Sequence, residues 1–140
     1  MILTSWRYMM DLTVADVGKG GCTAIQQEVA LQTMDYLGQH IGDKVTIREI
    51  AKTLHVSETH LKTSFRAYYG SSVYASFKRM KMEKAAGMLA STDRTVLAIA
   101  GGLGYENSSK FASAFRSVYS VSPSDYRADT RNRRGKSTKG

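Results

Sequence analysis

Residues 46–70 read TIREIAKTLHVSETHLKTSFRAYYG, and residues 95–120 read TVLAIAGGLGYENSSKFASAFRSVYS. The two stretches are similar when one is shifted by about fifty positions, with a one-residue slip between Leu103 and Phe111 that a turn can absorb. Two copies are too few for a solenoid, so the pattern favours a tandem pair of helix-turn-helix units. The matching positions are Ile50-Ala51 with Ile99-Ala100, Leu54 with Leu103, Leu61 with Phe111, Phe65 with Phe115, Arg66 with Arg116 and Tyr69 with Tyr119.

The first copy has the caps and turn of a helix-turn-helix. Thr46 and Glu49 form a capping-box pattern, in which the threonine oxygen accepts a hydrogen bond from the amide of residue 49 and the glutamate reaches back. A short helix should run to about Thr53 and end in a tight turn. Ser57 should then cap a second helix that ends at about Tyr69.

The second helix of this copy has an apolar face and a polar face. Because Leu61 and Phe65 are spaced to face inward, four polar side chains must project on the opposite side. Hydroxyls bond to either kind of base edge, a threonine methyl group suits thymine, and lysine or arginine reaches guanine or phosphate. This mixture favours DNA reading in a major groove over the alternative, an ordinary solvated helix face. The four residues are Thr59, Lys62, Thr63 and Arg66.

A long helix should connect the two copies, from the cap Ser72 to about Ser91. About nineteen helical residues span roughly 28 Å, which approaches the spacing of about 34 Å between successive major grooves on one face of DNA. We therefore expect this helix to hold the two units at groove spacing. Its basic surface includes Lys78 and Arg79, which we expect to contact phosphates.

The second copy has a smaller outer face. Ala112 stands at the position of Lys62 and offers only an apolar contact to a thymine methyl group. Gly101 and Gly102 lie inside the first helix of this copy, where each costs about 1 kcal/mol relative to alanine. We therefore expect the second copy to make fewer base contacts and to be the less stable one. Its other outward residues are Ser109, Lys110, Ser113 and Arg116.

The repeat also divides the chain into segments. The predicted fold class is all-α, with two helix-turn-helix subdomains joined by a long linker helix and about seven helices in all. The last run of residues has no apolar content and should be disordered, either lying along phosphates or aiding solubility. The segments are an N-terminal arm or remnant of a preceding domain (1–22), the first subdomain (23–71), the linker helix (72–92), the second subdomain (93–128) and a disordered basic tail (129–140).

Composition narrows the function classes. The chain has 140 residues and a net charge of +8; residues 1–42 carry −2, whereas residues 43–126 and 127–140 carry +5 each. A positive excess on the repeated region and the tail favours a polyanionic partner over evenly solvated charges. The single cysteine, Cys22, excludes an internal disulfide and a multi-cysteine zinc site. No apolar run is long enough to span a membrane and no signal sequence is recognisable, so we expect a cytoplasmic protein without a cofactor.

These features resemble the DNA-binding domain of the arabinose-regulator (AraC/XylS) family of bacterial transcription regulators, over about residues 24–127. Two linked copies followed by a proline-led ending make the match specific. The residues that carry the resemblance are Ile50-Ala51, Ser57, Leu61, Phe65, Gly70, Ala85, Leu89, Ile99-Ala100, Gly104-Tyr105, Ser109, Phe111, Phe115 and the ending Pro123-Ser-Asp-Tyr126-Arg127. His55 and Ser120 stand where the family usually has glycine, and Lys81 where it usually has arginine.

The resemblance implies a monomeric unit that binds an asymmetric site on double-stranded DNA, with one helix of each subdomain in successive major grooves. It also implies transcription control without catalysis, often activation through contact with RNA polymerase. Carried over by position, the base-reading set is Thr59, Lys62, Thr63, Ser109, Ala112 and Ser113. The phosphate-contacting set is Ser57, Arg66, Lys78, Arg79, Lys110 and Arg116.

Other function classes are less consistent with the sequence. A helical protein-interaction module could use the same outer faces, but these lack the aromatic or large aliphatic anchors typical of interface hot spots. An enzyme is disfavoured because Cys22 has no neighbouring His/Glu arrangement and the three histidines lack metal-ligand spacing. Because the family usually attaches a sensor domain, the chain is expected to be either an excised domain or a short regulator without one.

Overall fold

Seven α-helices form the part of the chain that the computed structural model describes, residues 22–139. No strand occurs among those residues, which confirms the predicted all-α class. None of the helices in that range is long and apolar enough to cross a membrane. The predicted N-terminal arm lies outside the described residues, except for Cys22. The helices are α1 (Ala24–Gln39), α2 (Ile47–Leu54), α3 (Glu58–Tyr69), α4 (Val73–Ser91), α5 (Val96–Gly102), α6 (Ser108–Tyr119) and α7 (Pro123–Lys139).

Every helix begins after a polar residue whose side chain accepts a hydrogen bond from the backbone amide three residues on. The heavy-atom distances are 2.8–3.1 Å. Glu49 does not reach back to the Thr46 amide as the capping-box pattern predicted. Its carboxylate is exposed, and an exposed group gains little from an additional surface hydrogen bond. The reciprocal box forms instead between Thr23 and Gln26. The caps are Thr23, Thr46, Ser57, Ser72, Thr95, Asn107 and Ser122.

The chain divides into two compact units at Phe77 and Lys78, within α4. In the first unit, α1 packs mainly against α3, and the short helix α2 packs on both. Ile25 is 70% exposed because it lies in the first turn of α1, ahead of the buried stripe that begins at Val29. The buried apolar residues of this unit are Val29, Ala30, Leu31, Met34, Leu37, Ile50, Ala51, Leu61, Phe65, Tyr68, Tyr69 and Val73.

In the second unit, α6 packs against α5 and α7, and the core is mixed aliphatic and aromatic. The rings of Phe115, Tyr119 and Tyr126 lie within 4.8–5.4 Å of one another, centroid to centroid. Gly101 and Gly102 are not required by packing, because a Cβ atom at either would meet no atom within 4 Å. The buried apolar residues are Met80, Met82, Ala85, Ala86, Leu89, Ile99, Ala100, Leu103, Phe111, Ala114 and Phe115.

Arginines of α7 bind the end of α4. Arg127 donates hydrogen bonds to the carbonyl oxygens of Leu89 (3.0 Å), Thr92 (3.2 Å) and Arg94 (2.6 Å). The last carbonyls of a helix lack helical partners and carry partial negative charge, so a guanidinium group satisfies them well. Arg127 therefore fixes the start of α7 to the second unit.

The tail predicted to be disordered, residues 129–140, continues α7 as far as Lys139. Arg131 bonds to the Thr92 carbonyl at 3.2 Å and to the Asp93 carboxylate at 2.5 Å. Arg134 bonds to the Ala90 carbonyl at 3.0 Å. The prediction of disorder was wrong here because these side-chain bonds, and not apolar burial, attach the helix to α4.

Left-handed residues mark equivalent positions in both turns, between α2 and α3 and between α5 and α6. His55 has φ 58° and Gly104 has φ 84°. One residue separates His55 from the cap Ser57, whereas two separate Gly104 from the cap Asn107. The one-residue slip between the two copies therefore lies in this turn, as the sequence predicted.

A second pair of left-handed residues ends α3 and α6. Gly70 has φ 76°, and its counterpart Ser120 has φ 66°. The left-handed conformation costs a non-glycine residue about 1–2 kcal/mol, whereas glycine adopts it freely. Ser120 therefore holds backbone strain that Gly70 does not.

Replacing Ser120 with glycine should raise the free energy of unfolding by about 0.5–1 kcal/mol, because relief of the strain exceeds the extra entropy of an unfolded glycine. The matched reverse change, Gly70→Ser, should lower it by a similar amount, since a Cβ atom at residue 70 meets no atom within 4 Å and only the backbone is strained. Chemical denaturation of both variants measures the two effects. Changes of the same sign would contradict this account.

Candidate nucleic-acid interface

The outer face of α3 carries the polar residues singled out in the first unit. Leu61 and Phe65 are fully buried, and they turn the opposite side of the helix to solvent. Ser57 lies at the start of the same helix, where its side chain accepts a hydrogen bond from the His60 amide at 3.0 Å. All the predicted contact residues of this unit are exposed: Ser57, Thr59, Lys62, Thr63 and Arg66.

Three of these residues line one groove of about 320 Å³. Lys62, Thr63 and Arg66 form its α3 side. The opposite side is mainly hydrocarbon from the starts of α2 and α4, and none of the lining residues is acidic. Thr59 and Ser57 lie on α3 outside this groove. The other lining residues are Ile47, Ser72, Val73 and Tyr74.

Tyr74 was not identified from the sequence, although it stands at the second position of α4 and is 80% exposed. Helical periodicity does predict that Tyr74 is exposed. Val73, Ser76 and Met80 are spaced to face inward and are buried, which leaves Tyr74 outside. Only the folded chain shows that this ring lies on the groove of Lys62, because the two residues belong to different helices.

The outer face of α6 is the counterpart of the α3 face in the second unit. Ser109, Lys110, Ser113 and Arg116 are exposed, and Ala112 is half-buried. An open groove of about 510 Å³ brings most of these residues together with Ser117, which the sequence analysis did not single out; Lys110 lies outside it. The lining residues are Ser109, Ala112, Ser113, Arg116 and Ser117, with no aromatic ring among them.

Lys78 and Arg79 lie on α4 and line neither groove. Lys78 is half-buried and Arg79 is exposed. One turn further along, burial raises the pKa of the Glu83 carboxyl group, and the Arg79 charge opposes this rise only in part. The pKa of Tyr119 is also raised, first by burial and then by Glu83 and Tyr126. The carboxylate of Glu83 is therefore a destabilising charge beside the aromatic core of the second unit.

The described residues offer little for metal or nucleophilic chemistry. Among them, no three His, Cys, Asp or Glu side chains come together as potential metal ligands. The pKa of the Cys22 thiol is raised by burial, which keeps it in the less reactive protonated form. Two exposed, cation-bearing polar faces are thus the chemical features that stand out.

Comparison with known sequences connects these faces to a family. Residues 50–129 match the family model described as "Helix-turn-helix domain". The chain is 28% identical over 96 residues to the regulatory protein PocR of Salmonella typhimurium, a match that covers 69% of this chain and 32% of PocR. The chain thus spans about a third of the length of that relative.

Solved structures share the fold. The C-terminal domain of AraT, a response regulator from Geobacillus stearothermophilus, superposes with a TM-score of 0.68 at 29% identity, covering 76% of this chain and 86% of that one. The DNA-binding domain of AdpA, solved in complex with a target DNA, gives a TM-score of 0.71, covering 76% of this chain and 96% of that one. Its identity is 23%, so this second likeness concerns the fold alone.

Replacing Glu83 with glutamine should stabilise the protein at neutral pH, because it removes a carboxylate whose charged form is disfavoured by burial. A folded-state pKa above the ordinary value of 4.5 means that the wild type loses stability as pH rises through the range between the two values. The advantage of Glu83→Gln should therefore shrink as pH falls to about 4.5 and below. Thermal unfolding across pH measures it.

The same substitution at the exposed residue Glu28, Glu28→Gln, is the matched control. If Glu83→Gln instead destabilised the protein at pH 7, attraction to Arg79 would outweigh the cost of burial, and the assignment would be wrong.

Proposed function

The chain belongs to the arabinose-regulator (AraC/XylS) family of helix-turn-helix domains, and from this premise we propose that it binds specific sequences of double-stranded DNA and regulates transcription. The observation that carries the proposal is the duplicated polar face. Lys62, Thr63 and Arg66 of α3, and Ala112, Ser113 and Arg116 of α6, line open grooves at equivalent positions of the two copies. A duplicated exposed face on a chain of net charge +8 fits a repetitive polyanion.

In this proposal α3 and α6 read bases in successive major grooves. Lys62 bonds to guanine acceptors, and Thr63 supplies a hydroxyl and a methyl group. Ala112 offers an apolar contact, so the second unit has fewer direct hydrogen bonds to bases than the first. The full base-reading set is Thr59, Lys62, Thr63, Ser109, Ala112 and Ser113.

Phosphate contacts supply most of the affinity and position the two helices. Ser57 caps α3 at its positive end, where a phosphate is favoured. Arg66 and Arg116 occupy equivalent positions in the last turns of α3 and α6. The proposed set is Ser57, Arg66, Lys78, Arg79, Lys110 and Arg116.

We further propose that the protein acts as a monomeric DNA-binding unit and activates transcription by contacting RNA polymerase. The support is the family resemblance together with the two different faces, since two unlike half-sites form an asymmetric site. A reporter gene with the selected site upstream of a weak promoter tests the sign of regulation.

Lys62→Ala should relax sequence discrimination at one or two base pairs, because the side chain is proposed to bond directly to a base edge. The expected loss is about 1–3 kcal/mol for the preferred base and little for the others. The measurement is binding to a duplex selected from a random pool and to its single-base variants. Thr63→Ala should act at a neighbouring pair. Equal weakening on every duplex would instead make Lys62 a phosphate contact.

Arg66→Ala and Arg116→Ala should each weaken binding on all duplexes and lower the slope of log K against log salt by roughly one, if each neutralises a single phosphate. Arg66→Lys is the matched control because it keeps the charge and should keep the slope. Titrations at four or more salt concentrations measure this. An unchanged slope in both alanine variants would remove these two assignments.

A further inference from the structure

Tyr74 is a large side chain left exposed at the edge of the proposed DNA-binding face. The residue is 80% exposed and lines two hollows of the first unit. One is the groove of about 320 Å³ that it shares with Lys62, Thr63 and Arg66. The other is a smaller cavity of about 70 Å³ that it shares with Ile47 and residues beneath it. The ring thus forms a wall that is open to a ligand on the α3 side.

The groove is lined by both hydrocarbon and cationic side chains. Ile47, Val73 and the Tyr74 ring supply hydrocarbon, and Lys62 and Arg66 supply two positive charges. No acidic residue is among those that line it. A ligand that fits both features has an apolar body and an adjoining anionic group. A deoxyribose with its phosphate has this composition, whereas the edge of a base would need polar partners throughout.

Ser72 adds a donor on the far side of the same groove. Its oxygen accepts a hydrogen bond from the Ala75 amide at 3.1 Å, which leaves its hydroxyl proton free to bind an acceptor. Arg66 and Ser72 therefore bring hydrogen-bond donors from two different elements to the same groove.

We propose that Tyr74 is a further DNA-contacting residue whose ring packs against one deoxyribose at the edge of the major groove entered by α3, with the adjoining phosphate held by Arg66 and Ser72. The inference rests on the proposed function and deepens it. Tyr74 contributes affinity and positioning, and it does not discriminate between bases. Because Tyr74 and Lys62 share one groove, this contact also fixes how far Lys62 reaches into the major groove.

Hydroxyl-radical footprinting tests the contact directly, because these radicals attack the deoxyribose and protection reports burial of the sugar. Wild-type protein bound to a selected duplex should protect a run of sugars that includes one or two dependent on Tyr74. Tyr74→Ala should lose protection at those one or two nucleotides and bind roughly fivefold to tenfold more weakly, from loss of one buried ring face. Its salt slope should not change, since no charge is removed.

Two variants make the experiment specific. Tyr74→Phe keeps the ring and should keep both the footprint and the affinity. Ile25→Ala removes another exposed apolar side chain of the same unit, 70% exposed on α1 and away from the groove, and should change neither. Circular dichroism of each variant checks that the fold is retained.

The outcomes separate the two proposals. If the wild type binds no duplex at low salt, the proposed function fails. If it binds but Tyr74→Ala keeps full sugar protection, only the Tyr74 contact is overturned. A changed base preference in Tyr74→Ala would make the residue a base reader and would also overturn the contact, as would a Tyr74→Phe variant that binds as weakly as Tyr74→Ala.

Discussion

Burial of one apolar stripe on α3, and of an equivalent stripe on α6, determines the rest of the structure. Leu61 and Phe65 in α3, and Phe111 and Phe115 in α6, are completely excluded from solvent. Rotating either helix by one residue would bring a cation inward, and burial of an unpaired charge is far more costly than the loss of one apolar contact. The direction in which the polar side chains point is therefore set by the core. Sequence changes on the outer faces can alter recognition without altering the frame.

The two units use this shared frame differently. The α3 groove has an aromatic wall and a lysine, whereas the α6 groove has three serines and an alanine beside its arginine. Long side chains such as Lys62 hold a particular position only when their neighbours restrict them, and Tyr74 and Ile47 line the same groove as Lys62 in the first unit. Small side chains in the second unit lose little conformational entropy on binding. In the proposed function, the first unit therefore makes the more sequence-specific contacts, and the small side chains of the second unit allow a close fit to the DNA.

Much of this arrangement was predictable because its causes are local. Capping residues, apolar spacing and the repeated stretch each act over a few positions, and they predicted the helices and the outward faces of α3 and α6. The capping box at Thr46 was the local exception, because the Glu49 carboxylate is exposed and does not return a bond to the Thr46 amide. Other features depend on residues distant in sequence. The last helix is attached by bonds between Arg127 and carbonyls 33–38 positions earlier, and no periodicity in the tail indicates them.

Separation along the chain also limits how much of the groove of the first unit can be predicted from the sequence. Periodicity places Tyr74 on the surface, but only the packing of α4 beside α3 brings it to Lys62 and Arg66. The mixed character of the groove, with hydrocarbon and charge side by side, arises from three helices together. Neither the composition nor a comparison of the two copies predicts this mixed character, since α6 lines its groove without an aromatic ring.

The arginines that attach α7 to α4 affect how much of the chain's positive charge is available to a polyanionic partner. Residues 127–140 carry +5, yet the guanidinium groups of Arg127, Arg131 and Arg134 are engaged with backbone oxygens or with Asp93. A group held in this way still contributes to the long-range attraction that speeds encounter with a polyanion. It is less available to neutralise a phosphate, however, because part of its hydrogen-bonding capacity is used within the protein. The formal charge near the C-terminus is therefore a better guide to the rate of association with a polyanion than to the number of phosphates that the protein contacts.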